Sequence, residues 1–150
     1  MADEKRNVKD LFVRFMEIFN AGEAERLEEV FDQDIVVDWP QSKERIKGLA
    51  NVKAVLRNFP DKPEASQTRF MGEDSRYLLT PMFTTVKVEG TGDNVISTMK
   101  LKYPDGSDWY VISLMIVRDS KFVKMIQYYA PFYEAPQWRS QWVEITEDDT

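Results

Sequence analysis

Residues 95–129 read VISTMKLKYPDGSDWYVISLMIVRDSKFVKMIQYY. Apolar and polar side chains alternate here in three runs, Val95–Tyr103, Asp108–Val117 and Phe122–Tyr129. Two groups of turn residues separate them, Pro104-Asp105-Gly106 and Arg118-Asp119-Ser120-Lys121. A period of two sustained over each run marks a strand with one buried face, and loops this short join antiparallel neighbours. The alternation predicts three faces: Ser97, Met99, Leu101 and Tyr103; Trp109, Val111, Ser113, Met115 and Val117; Val123, Met125, Gln127 and Tyr129. Lys100, Lys102, Lys121 and Lys124 are read as solvent-side residues of the strands.

Upstream of this meander the period changes. Val8, Leu11, Phe12, Phe15, Met16 and Phe19 recur at helical spacing, and Asn20-Ala21-Gly22 supplies a left-handed stop. A second, shorter helix is predicted with Ala24, Leu27, Val30 and Phe31 buried. Asp34 to Trp39 reads as a strand with Ile35, Val37 and Trp39 on one face and Val36 and Asp38 on the other, ended by Pro40. A third helix starts near Gly48, lines up Leu49, Val52, Leu56 and Phe59, and stops at Pro60 and Pro63. Strands are expected at Ser66–Met71 and Leu78–Glu89, the latter with a bulge or an edge position at Pro81, and a hairpin loop at 90–94. Three helices followed by a mostly antiparallel meander make an α+β fold, in which the helices cover one face of the sheet to bury their stripes. The chain of 150 residues is read as one domain, residues 1–150, with flexible ends at 1–6 and 144–150.

Composition narrows the function. Four of the charges behind the net −6 come from acids in the last seven residues, so the body carries no strong field of either sign. Without a basic stripe, nucleic acid is not an expected partner. No apolar run is long enough to cross a bilayer, so no membrane partner is expected. The N-terminus lacks the apolar segment of a signal peptide, and no cysteine is present; a cytoplasmic location is the expectation. The chain has no histidine either. That removes His-dependent triads, His–Asp pairs and zinc sites built on His or Cys, and no metal or cofactor is expected. Aromatic residues reach 13%, enough for some rings to line a site in addition to filling a core.

Several landmarks together resemble a known family. Phe15 and Phe19 before Asn20-Ala21-Gly22, then Leu27 and Phe31-Asp32-Gln33-Asp34, are similar to the opening of SnoaL-like domains of the nuclear transport factor 2-like superfamily. So are Ile46-Lys47-Gly48 before a helix ending Asn58-Phe59-Pro60-Asp61, and Ser120-Lys121-Phe122-Val123-Lys124 running into Tyr128-Tyr129-Ala130-Pro131. The resemblance implies a cone-shaped α+β barrel, with three N-terminal helices packed on a strongly curved sheet around a deep pocket. It also implies dimers formed through the outer face of the sheet. Relatives include isomerases, dehydratases, epoxide hydrolases, polyketide cyclases and binding proteins, so the fold alone does not name the activity.

The candidate pocket wall comprises Phe15, Trp39, Met99, Tyr103, Trp109, Gln127 and Tyr129. Tyr and Trp join an aromatic body to a polar tip, which suits a semi-polar planar ligand. Asp38 is the candidate catalytic carboxylate, because isomerase-like relatives carry a base at this strand end, directly before a proline. Here that place is held by Trp39, and one residue along a strand exchanges one face for the other. Gln127 stands where hydrolase-like and cyclase-like relatives carry an acid; an amide can orient a carbonyl but cannot shuttle a proton. The leading expectation is a homodimeric domain that binds a small apolar or aromatic metabolite. An isomerase or cyclase using Asp38 for metal-free proton transfer, and a protein-interaction module acting through the sheet face or the aromatic tail, are the alternatives. The tail from Pro131 to Trp142 is expected to pack as a lid on the pocket or as a clasp on a partner subunit.

Overall fold

A computed structural model describes residues 2–58, 69–71, 77–79, 83–91, 93–103 and 106–146, and the side chains of 8, 10–58, 93–103 and 106–146. Helix α1 spans Ala2–Ala21, starting well before the first apolar residue of its stripe. Leu11, Phe12, Phe15 and Met16 are buried, as is Ile18 off that stripe. The helix ends as its sequence requires: Gly22 takes φ 69°, its N–H reaches the Phe19 carbonyl at 3.1 Å, and the Glu23 N–H reaches that of Ile18 at 3.2 Å. Only glycine adopts this left-handed turn without steric cost.

The predicted second helix is a single stretch of 3-10 helix, Ala24–Glu29. Ala24, Leu27, Val30 and Phe31 are all buried, but Phe31 already opens strand β1, Phe31–Trp39. Strand β2, Glu44–Lys47, returns antiparallel to β1, an element not predicted from the sequence. Helix α2, Leu49–Arg57, follows Gly48 and packs on β1 and the 3-10 helix. Lys53 reinforces that seam at 3.3 Å from Glu25 and 3.5 Å from Glu28, and Arg57 also pairs with Glu25. Phe59, Pro60 and Pro63 lie outside the described residues.

The remaining strands are β3 Arg69–Met71, β4 Tyr77–Leu79, β5 Phe83–Thr91, β6 Asn94–Lys102, β7 Asp108–Arg118 and β8 Lys121–Pro131. The run expected as one strand, Leu78–Glu89, is divided between β4 and β5, which pair antiparallel with each other; Pro81 lies between them, outside the described residues. The eight strands form one sheet in the order β2-β1-β8-β7-β6-β5-β4-β3. Every ladder is antiparallel except β1 with β8. The expected α+β architecture, helices on one face of a curved, mostly antiparallel sheet, is the observed one.

Alternation holds along the meander. Val95, Ser97, Met99 and Leu101 are buried on β6, and Val111, Ser113, Met115 and Val117 on β7. On β8 the ladder shifts between Ile116 and Val117, so Phe122 rather than Val123 enters the core. A bulge adds one residue to a strand and reverses the side of those before it. The gain is a ring for the helix to sit on: Phe15 of α1 lies 5.1 Å from Phe31 and 5.9 Å from Phe122 between ring centroids. The first pair is tilted at 51° and the second edge-on at 68°, and an edge-on pair favours association beyond the area it buries. No helix among the described residues is long and apolar enough to cross a membrane.

Gly48 carries the chain from β2 into α2 at φ 87°, ψ 150°, a region open essentially to glycine. A Cβ there would meet nothing closer than the Gln33 carbonyl oxygen at 3.9 Å. Gly48→Ala should therefore destabilise the fold by about 1–3 kcal/mol through backbone strain alone, measured as a lowered urea midpoint with an unchanged slope.

Candidate functional site

Between α1, α2 and the concave face of the sheet lies a cavity of about 90 Å³. One water needs about 10–15 Å³ in the same measure, so the space exceeds that of a single solvent molecule several-fold. Phe15, Trp39, Met99, Gln127 and Tyr129, five of the seven wall residues expected from sequence, line it. The stripes of α1 and α2 add Phe19, Val52 and Leu56, and Ile46 enters from β2. Ile46 was missed because β2 was missed; its side chain had no face assigned to it.

Tyr103 and Trp109 are corrections. They stand at the far ends of β6 and β7, beside the turn that joins these strands, and are not part of the described lining. Their rings meet each other edge-on at 5.8 Å, and the Trp109 indole N–H donates to Ser107 Oγ at 3.0 Å. The two aromatics pack on one another at the end of the sheet.

Asp38 is the larger correction. Val37 and Trp39 face the cavity, so Asp38 between them faces the other side of the sheet. There its carboxylate takes two hydrogen bonds from Arg45, Nε at 2.6 Å and Nη2 at 3.0 Å. The hydrogen bonds from Arg45 hold the Asp38 carboxyl below its usual range, more than its burial raises it. A general base at neutral pH needs the opposite shift and a path to the substrate. Asp38 has neither.

The polar end of the cavity is built across strands. The parallel register that sets Asp38 beside Ile126 brings Trp39 next to Gln127, while Gln127 is paired with Ser113 and Ser113 with Ser97. The Trp39 indole N–H donates to Gln127 Oε1 at 2.8 Å. Gln127 Nε2 donates to Ser113 Oγ at 3.1 Å, and the Tyr129 hydroxyl donates to Oε1 at 3.4 Å. An amide offers two N–H groups and two acceptor positions, so one Gln127 N–H has no partner among the described residues. Ser97 Oγ, fully buried, also has none. Burial, and after it the neighbouring Tyr103, push the Tyr129 phenol far above its ordinary pKa, so it stays a neutral hydroxyl.

Sequence reading assigned Gln41 no role. Its side-chain amide bonds both the N–H and the carbonyl of Tyr129, acting as one more peptide unit beyond the end of β1. This clamp fixes β8 where Tyr129 reaches the cavity. An amide just past a strand end gives no periodic signal, and only the parallel pairing of β1 with β8 reveals its partner.

The SnoaL-like domain model matches residues 12–125, most of the chain. The protein belongs to the SnoaL-like family. This SnoaL-like domain is similar over 95% of its length to an NTF-2 like protein of unknown function from Burkholderia xenovorans LB400, at 28% identity, 98% coverage of that chain and a TM-score of 0.72. It also shares its fold with a "putative ketosteroid isomerase" from Kribbella flavida DSM 17836, at 17% identity, 96% and 93% coverage of this and that chain, and a TM-score of 0.74. An LEH-like epoxide hydrolase of M. tuberculosis is similar at 15% identity, with 83% and 80% coverage and a TM-score of 0.55. No curated protein sequence matches it.

Two substitutions separate the roles of the polar residues in this SnoaL-like domain. Gln127→Leu strands the buried Ser113 hydroxyl and the Trp39 N–H, and should cost about 1–3 kcal/mol for each group left unsatisfied, read by urea unfolding. Asp38→Asn removes a carboxylate whose pKa is lowered in the folded state, so its stabilisation exists above about pH 4 and fades as pH falls through the folded value. The stability gap between wild type and Asp38→Asn should be present at neutral pH and close in acid.

Proposed function

We propose that this SnoaL-like domain binds a small, uncharged, largely apolar molecule, of the order of one ring in size, with a single oxygen directed at Gln127 and Tyr129. The observation that carries this reading is the lining: among the described residues it is apolar and aromatic apart from Gln127, with no carboxylate, lysine or arginine. Burying a charged group there would leave it unpaired, at a cost no apolar contact offsets. A carbonyl, ether or hydroxyl oxygen matches the N–H that Gln127 has in reserve, and the Tyr129 hydroxyl stands beside it.

The isomerase or cyclase reading needed Asp38, and its pairing with Arg45 on the opposite face of β1 argues against proton transfer by that residue. The likeness to a "putative ketosteroid isomerase" and to an LEH-like epoxide hydrolase is one of fold and assigns no reaction to this chain.

A thermal-shift screen of neutral ring compounds against their carboxylate and amine counterparts tests the proposal. Ligands from the neutral set should stabilise the protein, by about 2.7 kcal/mol at a hundredfold excess over the dissociation constant. Tyr129→Phe should weaken an oxygen-bearing ligand about tenfold while leaving its hydrocarbon analogue unchanged. Hits confined to charged compounds would refute the reading.

A further inference from the structure

The segment after β8, expected as a lid, leaves the sheet with Phe132 stacked on Tyr110 at 4.7 Å, and none of its residues lines the cavity. Control of access falls to the walls, and α2 is the least secured of them. The sheet is held by its ladders and α1 by buried rings at Phe12 and Phe15, whereas only Leu49 and Leu56 are buried on α2. Val55 both lines the cavity and is 39% exposed, so one side chain of α2 stands between the cavity and solvent. The start of the helix is pinned, because the Gly48 N–H donates to the Ile35 carbonyl at 2.8 Å. Gly48 leads into α2 at φ 87°, and the absence of a Cβ leaves its dihedrals freer than those of other residues. One end of α2 is thus anchored on a flexible joint.

The other half is held by charge. Lys53 and Arg57 stand one turn apart on α2, and both pair with Glu25 of the 3-10 helix; Lys53 also reaches Glu28. The Glu25 and Glu28 side chains are 71% and 70% exposed, within reach of water and salt. Exposed pairs are weak singly and are screened by salt. Two cations sharing one carboxylate make a contact that a single substitution releases. On this half of the helix only the packing of Leu56 acts beside it. A seam of that strength suits a catch more than a permanent joint.

We infer that α2 is the gate of the cavity, swinging about Gly48, with Glu25 as the latch that sets how often it opens. The inference rests on the binding proposed above, and it concerns how that site is filled and emptied. Glu25, Lys53 and Arg57 do not line the cavity, so an uncharged ligand touches none of them. The latch is then equally closed with and without ligand. A ligand shifts an equilibrium only by its differential interaction with the two states. Loosening the latch therefore speeds entry and exit by one common factor and leaves the dissociation constant as it was. An uncharged ligand in a wall without charge gives salt no other means of changing these rates.

Fluorine relaxation dispersion with 4-fluoroacetophenone, a neutral one-ring ketone, measures both rates and the affinity. Glu25→Gln should raise the association and dissociation rates together by about threefold to tenfold, with an unchanged dissociation constant. Raising sodium chloride from about 20 to about 300 mM should do the same in wild type and much less in Glu25→Gln. Glu23→Gln makes the same charge change at a residue paired with Arg26 inside the 3-10 helix, and should leave the rates alone. In the ligand-free protein, amide hydrogen exchange of α2 should quicken in Glu25→Gln by a similar factor, with that of β7 unchanged. Rates indifferent to both salt and Glu25→Gln would overturn the gate. So would a Glu25→Gln variant of weaker affinity and unaltered association rate, since Glu25 would then shape the site and not its opening. A probe that fails to bind wild type would count against the binding reading itself. Amide exchange then decides the gate alone, and α2 exchange unchanged in Glu25→Gln would refute it.

Discussion

The hydrogen bond from the Trp39 indole to the Gln127 amide organises the site. It joins residues 88 apart in sequence across the parallel pairing of β1 and β8. With Trp39 committed to the concave side, the pleat sends Asp38 to the convex side, where Arg45 on β2 takes it. The same bond occupies one acceptor position of Gln127, orients its amide towards Ser113 and leaves one N–H for the cavity. One indole thus decides which carboxylate is absent from the pocket and which amide is available in it.

The frame around this bond is held by aromatic contacts. Phe15, Phe31 and Phe122 connect α1 to the first and last strands, and the register shift in β8 is what turns Phe122 to meet them. A chain at this level of packing tolerates a cavity only where rigid elements surround it, since each missing contact is a loss of dispersion energy. Here the walls are two helices and the concave sheet, and Gln41 ties down the strand that carries both polar residues. Among the described residues the site is therefore built on regular elements.

Much of this was legible in the chain. Period-two patterning gives β6 and β7 with their inward faces, and β8 with its inward face from Met125 onward, while the helical stripe with Gly22 gives α1 and its end. Phe15, Trp39, Met99, Gln127 and Tyr129 follow from those faces directly. What escaped depends on information that alternation does not carry. β2 is four residues long with charged residues on either side of Ile46, too short for a period to show. Tyr103 and Trp109 lie on inward faces, yet a face does not say how far along the strand the cavity extends. The role of Gln41 and the bond between Trp39 and Gln127 both need the register of β1 against β8, a non-local pairing. The outward position of Asp38 was foreshadowed by its place one residue before Trp39, and the pleat made that step decisive.

The described walls of the pocket carry no carboxylate, lysine or arginine, and Gln127 and Tyr129 supply its amide and phenol. The most direct test is a crystal structure of the protein with the tightest neutral ligand from a screen. The account predicts the ligand inside the cavity, its oxygen within hydrogen-bonding distance of Gln127 Nε2 or the Tyr129 hydroxyl and its hydrocarbon against Phe15 and Met99. A ligand seated elsewhere, or one whose reacting group reaches Asp38, would contradict it.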